Sequence, residues 1–244
     1  MKTSPALKVA AVLAASLGVV LSARAELPVY EVAKTRTPIK VDGKLDEPAW
    51  EKAASMGKFT LTANGADAPV ETEAKIVYDD KFLYFAFRCP DKNIVAQLKE
   101  RDAGLWEEEV VEVFLQADPG QRSYIELEVN PLGTLLDIYL LDTRKAIPHR
   151  SWNSAKIKWA VDVDGSVNGK DGDTGWTCEI ALPMEDVVTA PHLPPHVGDT
   201  WRLNIYRIEK LPAPAFIAWS PTGANDFHIP GKFGKIVFTN KQVP

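Results

Sequence analysis

The sequence predicts an all-β fold, an antiparallel β-sandwich of jelly-roll-like form with one or two short helices. Three observations carry that prediction. About ten short runs alternate apolar and polar residues. Their separators are rich in Gly, Pro, Asp and Asn, the residues that turns demand. No long segment of 3.6-residue period interrupts them.

In chain order the strand-like runs are PIKVDG, EAKIVYDD, KFLYFAFRC, EVVEVFLQ, SYIELEVN, TLLDIYLL, KIKWAVDVDG, GWTCEIALP, TWRLNIYRIE, FIAWSP and GKFGKIVF. KFLYFAFRC is apolar on both faces, so it reads as a central strand covered twice, with a ligand-lining sheet as the alternative. Glu47 to Ala54 has the pattern of a two-turn helix, with Asp46 as cap and Pro48 in its first turn. Trp50 falls on the buried side of that helix. Glu185 to Val188 fits a single turn, which Pro191, Pro194 and Pro195 stop from extending. No Gly/Ser-rich or Pro-rich linker divides the chain, so it reads as one domain.

Residues 1–25 stand apart. Lys2 and Lys8 precede the apolar run VAAVLAASLGVVL, and Ala23 and Ala25 give a small-residue cleavage signature. The segment therefore reads as a secretory signal peptide, leaving a domain of residues 26–244 in the periplasm or outside the cell. The run is short for a membrane anchor. Cleavage would remove three of the 28 basic residues and none of the 33 acidic ones, leaving a net charge of −8. An acidic chain with no basic cluster is a poor partner for nucleic acid or an anionic membrane. Nothing after residue 25 is apolar enough for membrane insertion. Cys89 and Cys178 are the only cysteines. One disulfide and two buried free thiols are both open readings in an oxidising compartment.

The stretch Arg101 to Leu115, RDAGLWEEEVVEVFL, is where chemistry enters. Trp106 lies in a charged loop, where core packing has no use for an indole. Glu112 lies on the strand face opposite Val111, Val113 and Leu115. An aromatic plate beside an acceptor carboxylate suits a sugar, with its apolar C–H faces and polar edges. Trp152, in HRSWNS, is a second candidate for an exposed ring. Trp176 and Trp219 alternate with apolar strand residues and read as core.

Taken in order, IKVDGKLDEPAW, AKIVYDDKFLYFAFRC, RDAGLWEEEVVEVFL, YIELEVNPLGTLLD, GWTCEIALP, GDTWRLNIYRIE, AWSP and FHIPGKFGKIVF resemble the family 9 carbohydrate-binding modules over Ile39 to Phe238. The resemblance implies a non-catalytic β-sandwich that grips the end of a glycan between two aromatic rings. Trp106 resembles one ring of that clamp, and Phe227 falls where the second is expected. Glu112 is similar to the carboxylate that accepts hydrogen bonds from sugar hydroxyls, and Asn130 to a polar residue of the site. Arg101, close to Trp106, would donate to a sugar edge, unless it forms a surface ion pair with an acid such as Asp102. One departure stands out. Glu128 occupies a position where the glycan-binding modules carry arginine, and a carboxylate pair at 112 and 128 also suits a cation. Structural calcium is the one cofactor the resemblance brings. A saccharide is the implied partner, with an envelope protein partner left open.

Other readings are weaker. Glu107, Glu108 and Glu109, and the loop DVDGSVNGKDGD, lack the spacing of an EF-hand and read as solvated loops. His149, His192, His196 and His228 lack zinc spacing, and prolines keep His192 and His196 off a common helix face. Asn130 before Pro131 would also serve as an Asx turn. No nucleophile elbow, P-loop or dinucleotide fingerprint is present. A haem-binding electron-transfer sandwich is the alternative of a different class, with Met56 or Met184 as axial ligand.

Overall fold

The computed structural model describes residues 26–142, 147–169 and 172–244. The segment read as a signal peptide lies outside them. Among the described residues one α-helix, α1 (Pro48–Lys52), accompanies thirteen strands: β1 (Val29–Thr35), β2 (Thr60–Leu61), β3 (Glu73–Tyr78), β4 (Phe82–Pro90), β5 (Val110–Gln116), β6 (Tyr124–Val129), β7 (Leu135–Asp142), β8 (Ile147–His149), β9 (Lys158–Asp164), β10 (Gly175–Pro183), β11 (Thr200–Glu209), β12 (Ala215–Ala218) and β13 (Gly234–Val243). The main path of pairing runs β8-β7-β6-β5-β11-β13-β1-β3-β4-β10-β9, with β12 on β11 and β2 on β12. Most pairs are antiparallel, but β1 runs parallel to both its neighbours, β13 and β3.

That path forms the two layers of a sandwich. The main core joins Ile76, Phe85, Phe87 and Ile180 from one half to Val113, Leu127, Leu203 and Ile205 from the other. Because strand side chains alternate, each half also has an outer face. On one, Trp50, Ala49, Tyr84, Ala86 and Ala181 form a small cluster under α1. On the other, Leu105, Val110, Phe114, Tyr124, Leu136, Ile138, Tyr206 and Phe233 form a second cluster, which carries the site. Strand β4 is thus central and covered twice, as its two apolar faces require: Leu83, Phe85 and Phe87 enter the main core, while Tyr84 and Ala86 face α1.

Several local expectations are corrected. PIKVDG forms no strand. Its turn instead presents the Asp42 and Gly43 amides, each donating at 2.9 Å to Glu179 Oε2. Gly43 has φ of +86°, and a Cβ there would come within 2.6 Å of the Val161 backbone, so only glycine fits. The helix is shorter than its sequence pattern. Glu47, not Asp46, is the N-cap, with no side-chain capping bond, and Pro48 takes the first turn. VYEVAKT, which joins the layers as β1, alternates too weakly to stand out (Val29 is exposed, Ala33 and Lys34 are half-buried). Both cysteines are free and buried in the main core. Cys89 pairs with Trp176 and Cys178 with Phe87, so the two lie diagonally across β4 and β10. Trp176 and Trp219 lie in the core, where their alternation puts them.

Candidate functional site

The second outer cluster is interrupted by carboxyl groups. Glu112 on β5 lies directly across from Glu128 on β6, and Tyr206 on β11 flanks it on the other side. One pair along, Phe114 faces Glu126, which in turn faces Ile138 on β7. Glu112, Glu128, Phe114, Glu126 and Ile138 form the floor of a cavity of about 360 Å³. Its walls include Trp106, Phe227, His228 and Arg150. A cleft of about 600 Å³ on the opposite half, lined by Lys44, Arg88, Asp162 and Trp176, contains none of the residues that the sequence marks for binding.

Trp106 sits in a 3₁₀ turn (Leu105–Glu107) ahead of β5 and is 39% exposed, unusual for an indole. Gly104 lies against its edge, where a Cβ would meet Cζ2 at 3.1 Å. The Arg150 guanidinium lies 5.2 Å from the ring centroid, a cation–π arrangement. Phe227 is half-buried and stacks on Tyr206 with centroids 4.1 Å apart and 3° between planes. The Tyr206 hydroxyl donates to the Phe227 carbonyl at 2.8 Å, fixing the loop that carries the ring. His228 continues that loop, with Nδ1 bonded to the Tyr124 hydroxyl and 3.9 Å from Glu126 Oε2.

The floor is electrostatically tense. Glu112 and Glu128 are each 1% exposed. Glu112 Oε1, Glu126 Oε2 and Glu128 Oε2 have no hydrogen-bond partner. Burial pushes all three carboxyls upward, Glu112 and Glu128 well above the usual range. The nearby Glu126 charge adds to Glu112, and Glu112 and Glu126 add to Glu128. A side-chain hydrogen bond between Glu126 and Glu128 lowers the first and raises the second, while His228 and then Arg150 pull Glu126 down and Arg150 pulls Glu128 down. Burial therefore favours the protonated forms of these carboxyls relative to open water.

Four of the six residues singled out in the sequence, Trp106, Glu112, Glu128 and Phe227, line this one cavity. Asn130 and Arg101 do not. Asn130 is fully buried, and its amide donates to Leu98 O and Glu108 Oε1 at 2.8 and 2.6 Å. Its oxygen accepts from the Leu132 and Thr134 amides. The Asx-turn alternative thus describes it, with a further role in tethering the loop ahead of Trp106. Arg101 donates to the fully buried Asp137 at 2.6 Å and lies over Trp159, in a separate cleft with Lys99 and Leu132. Its ion-pair alternative is the observed one, with Asp137 as the partner.

Sequence reasoning missed Glu126, Arg150 and His228. The alternation in YIELEV puts Glu126 on the same face as Glu128, so that signal was available. Arg150 and His228 arrive on loops, where no periodicity exists to find them.

Two groups among the described residues bring possible metal-ligand atoms within 4.8 Å of one another. His192, His196 and Asp199 form one, with the two histidines on no common helix face, as the intervening prolines require. A loop, not a helix, brings the two imidazoles to 3.8 Å. Asp91, Glu109 and Glu209 form the other, buried group. There Arg207 supplies the positive charge, 2.6 Å from Glu209 and 3.5 Å from Asp91. The loop acids have structural partners: Glu108 accepts from the Gln97 amide and Asp173 from those of Ile94 and Ser166. Met56 and Met184 are packed in the main core.

A sandwich that turns one outer sheet face into a ring-walled, acid-floored cavity defines a ligand-binding module. The chain belongs to carbohydrate-binding family 9, whose model matches residues 61–238. It is 34% identical over 92 residues to Exoglucanase XynX of Acetivibrio thermocellus, a match covering 37% of this chain and only 8% of that relative. Its fold is similar to that of a Bacteroides uniformis protein assigned to carbohydrate binding, with TM-score 0.69, 20% identity, and coverage of 87% of this chain and 100% of that one. A family 9 module of Caldicellulosiruptor kristjanssonii, in complex with cellotriose, superposes with TM-score 0.60 at 13% identity, covering 86% and 94% of the two chains. The glucose complex of a family 9 module from that organism gives 0.56 at 14%, covering 87% and 96%.

Proposed function

We propose that this is an exported, non-catalytic module that binds a saccharide end in the cavity between Trp106 and Phe227. The observation that carries the reading is the convergence of exposed ring surface and unpartnered carboxyl oxygens in one cavity. Ring faces desolvate the C–H surface of a sugar, while the carboxyls accept from its hydroxyls. Family membership and the sugar-bound relatives support the same ligand class. Export rests on the N-terminal sequence pattern.

The non-catalytic part of the reading rests on family membership, since the matching model is one of carbohydrate binding. Glu112 and Glu128, cross-strand neighbours on one floor, would serve to hold a sugar edge.

Calorimetric titration with glucose, cellobiose and cellotriose tests the reading, with Trp106→Ala as control. Removing the ring should weaken binding roughly 2- to 13-fold, the worth of about 0.5–1.5 kcal/mol of stacking. Saturable binding that is indifferent to Trp106 would move the site elsewhere. A folded protein that binds no sugar would sink the proposal.

A further inference from the structure

The floor carries more acid than a neutral sugar requires. Four carboxyl residues line the cavity (Glu112, Glu126, Glu128 and Asp226), against one guanidinium, Arg150, and one imidazole, His228. A hydroxyl both donates and accepts, so a neutral hexose gains as much from a donor-lined pocket as from an acceptor-lined one. An ammonium has three donors and no acceptor, and carries the charge that buried carboxylates lack. Three carboxyl oxygens on this floor are buried and unpartnered, one on each of Glu112, Glu126 and Glu128. We propose that the acidic floor selects a saccharide bearing a primary amine, such as a 2-amino-2-deoxyhexose unit, over its neutral counterpart. The inference rests on the saccharide reading above and specifies its ligand.

Two further observations favour an organic cation. Trp106 already stacks with one, the Arg150 guanidinium at 5.2 Å, so the ring face accommodates positive charge. A bare metal ion fits less well. The carboxyls of Glu112, Glu126 and Glu128 do not gather within 4.8 Å as the two metal-competent groups do. A spread of acceptors around about 360 Å³ matches a ligand with its own breadth.

Proton linkage follows from the same floor. The groups that face the three glutamates are Tyr124 from β6, Tyr206 from β11, Asp226 and His228 from the loop after β12, and Arg150 after β8. Burial favours the protonated forms of Glu112 and Glu128 in the free protein. An entering ammonium stabilises their charged forms, so binding it should release protons to the buffer. A neutral sugar should release few or none.

The test is calorimetry on the full chain with glucose, N-acetylglucosamine, glucosamine and the fully deacetylated dimer of glucosamine. Each titration is repeated in buffers of different ionisation enthalpy, which counts the protons released. The amine-bearing sugars should bind at least about tenfold tighter than glucose and N-acetylglucosamine, with proton release. Glu112→Gln and Glu128→Gln, shown folded by thermal melts, should each reduce both the preference and the release. Glucose binding as tightly as glucosamine would overturn the amine preference and leave the saccharide reading standing. So would a preference that survives both substitutions. No binding of any of the four sugars would remove the saccharide reading and this inference with it.

Discussion

Glu128→Gln should stabilise the folded protein, and increasingly so as pH rises. Glu128 is 1% exposed, and its Oε2 has no partner. Its neighbours Glu112 and Glu126 each present an unpartnered acceptor as well. A glutamine in the same volume replaces one acceptor by an NH₂ that can donate to them. A buried polar atom left without a partner costs about 1–3 kcal/mol, which sets the gain at about that size in alkaline buffer. For a domain of this length that is a rise in Tm of roughly 2–10 °C. The pH dependence has a fixed sign. The Glu128 carboxyl is pushed well above its usual range by burial, then by Glu112 and Glu126. A group whose folded pKa lies above its unfolded one contributes stability that is complete below the unfolded value and lost as pH climbs through the folded one. Glutamine does not titrate. The advantage of the variant should therefore be small near pH 5 and widen toward about pH 9. Thermal melts of both proteins across that range give the answer. A variant less stable than its parent at the alkaline end, or a difference that stays flat with pH, would refute a strained, proton-holding floor.

Other perturbations read the frame around the site. Glu179→Gln should lower stability by about 1.5–3 kcal/mol in chemical denaturation, because Glu179 Oε1 accepts from the Trp50 indole at 2.8 Å and Oε2 from two backbone amides. Glu179 itself is pushed up to about 7 by burial, so its contribution fades as pH rises through neutrality and the deficit of the variant should be larger at pH 5 than at pH 8. Arg207→Met should cost about 3–5 kcal/mol in the same assay, since it strips the guanidinium from Asp91 and Glu209 within a buried group. Cys89, whose thiol is pushed up to about 11 by burial, and Cys178, also raised, should resist thiol reagents until the protein unfolds, and reductant should leave Tm unchanged.

The fold was legible wherever one sheet face meets the core, because alternation then encodes the face. EVVEVFLQ and SYIELEVN, which became β5 and β6, are examples. It was not legible at β1, where partial exposure blurs the alternation, nor at PIKVDG, where apolar residues serve a turn anchored by a distant glutamate. Within the site, Trp106 and Glu112 were marked by being out of place: a ring in a charged loop, an acid within a valine run. Their surroundings differ from what alternation alone suggests. Glu112 is on the outer face yet almost wholly covered, since loops close over that face. Asn130 and Arg101 lie near the site in sequence but spend their polar groups on the chain, on Glu108 and Asp137 respectively. Arg150 and His228 reach the cavity through tertiary placement alone, and nothing local announces them. The His192, His196 and Asp199 cluster makes the same point for metal ligands, since a loop can unite residues that share no helix face.

The position of β1 bears on how this chain comes to be folded. Val29–Thr35 pairs on one side with Glu73–Tyr78 and on the other with Gly234–Val243, from the opposite end of the described sequence. Among the described residues the sheet path has no other link between its two halves. A chain emerging from the ribosome therefore cannot close its seam until β13 is free, and until then β1 and β11 both present open edges to their surroundings. Such a topology delays closure of the sandwich until Gly234–Val243 has been made, however early the hairpins on either side have formed.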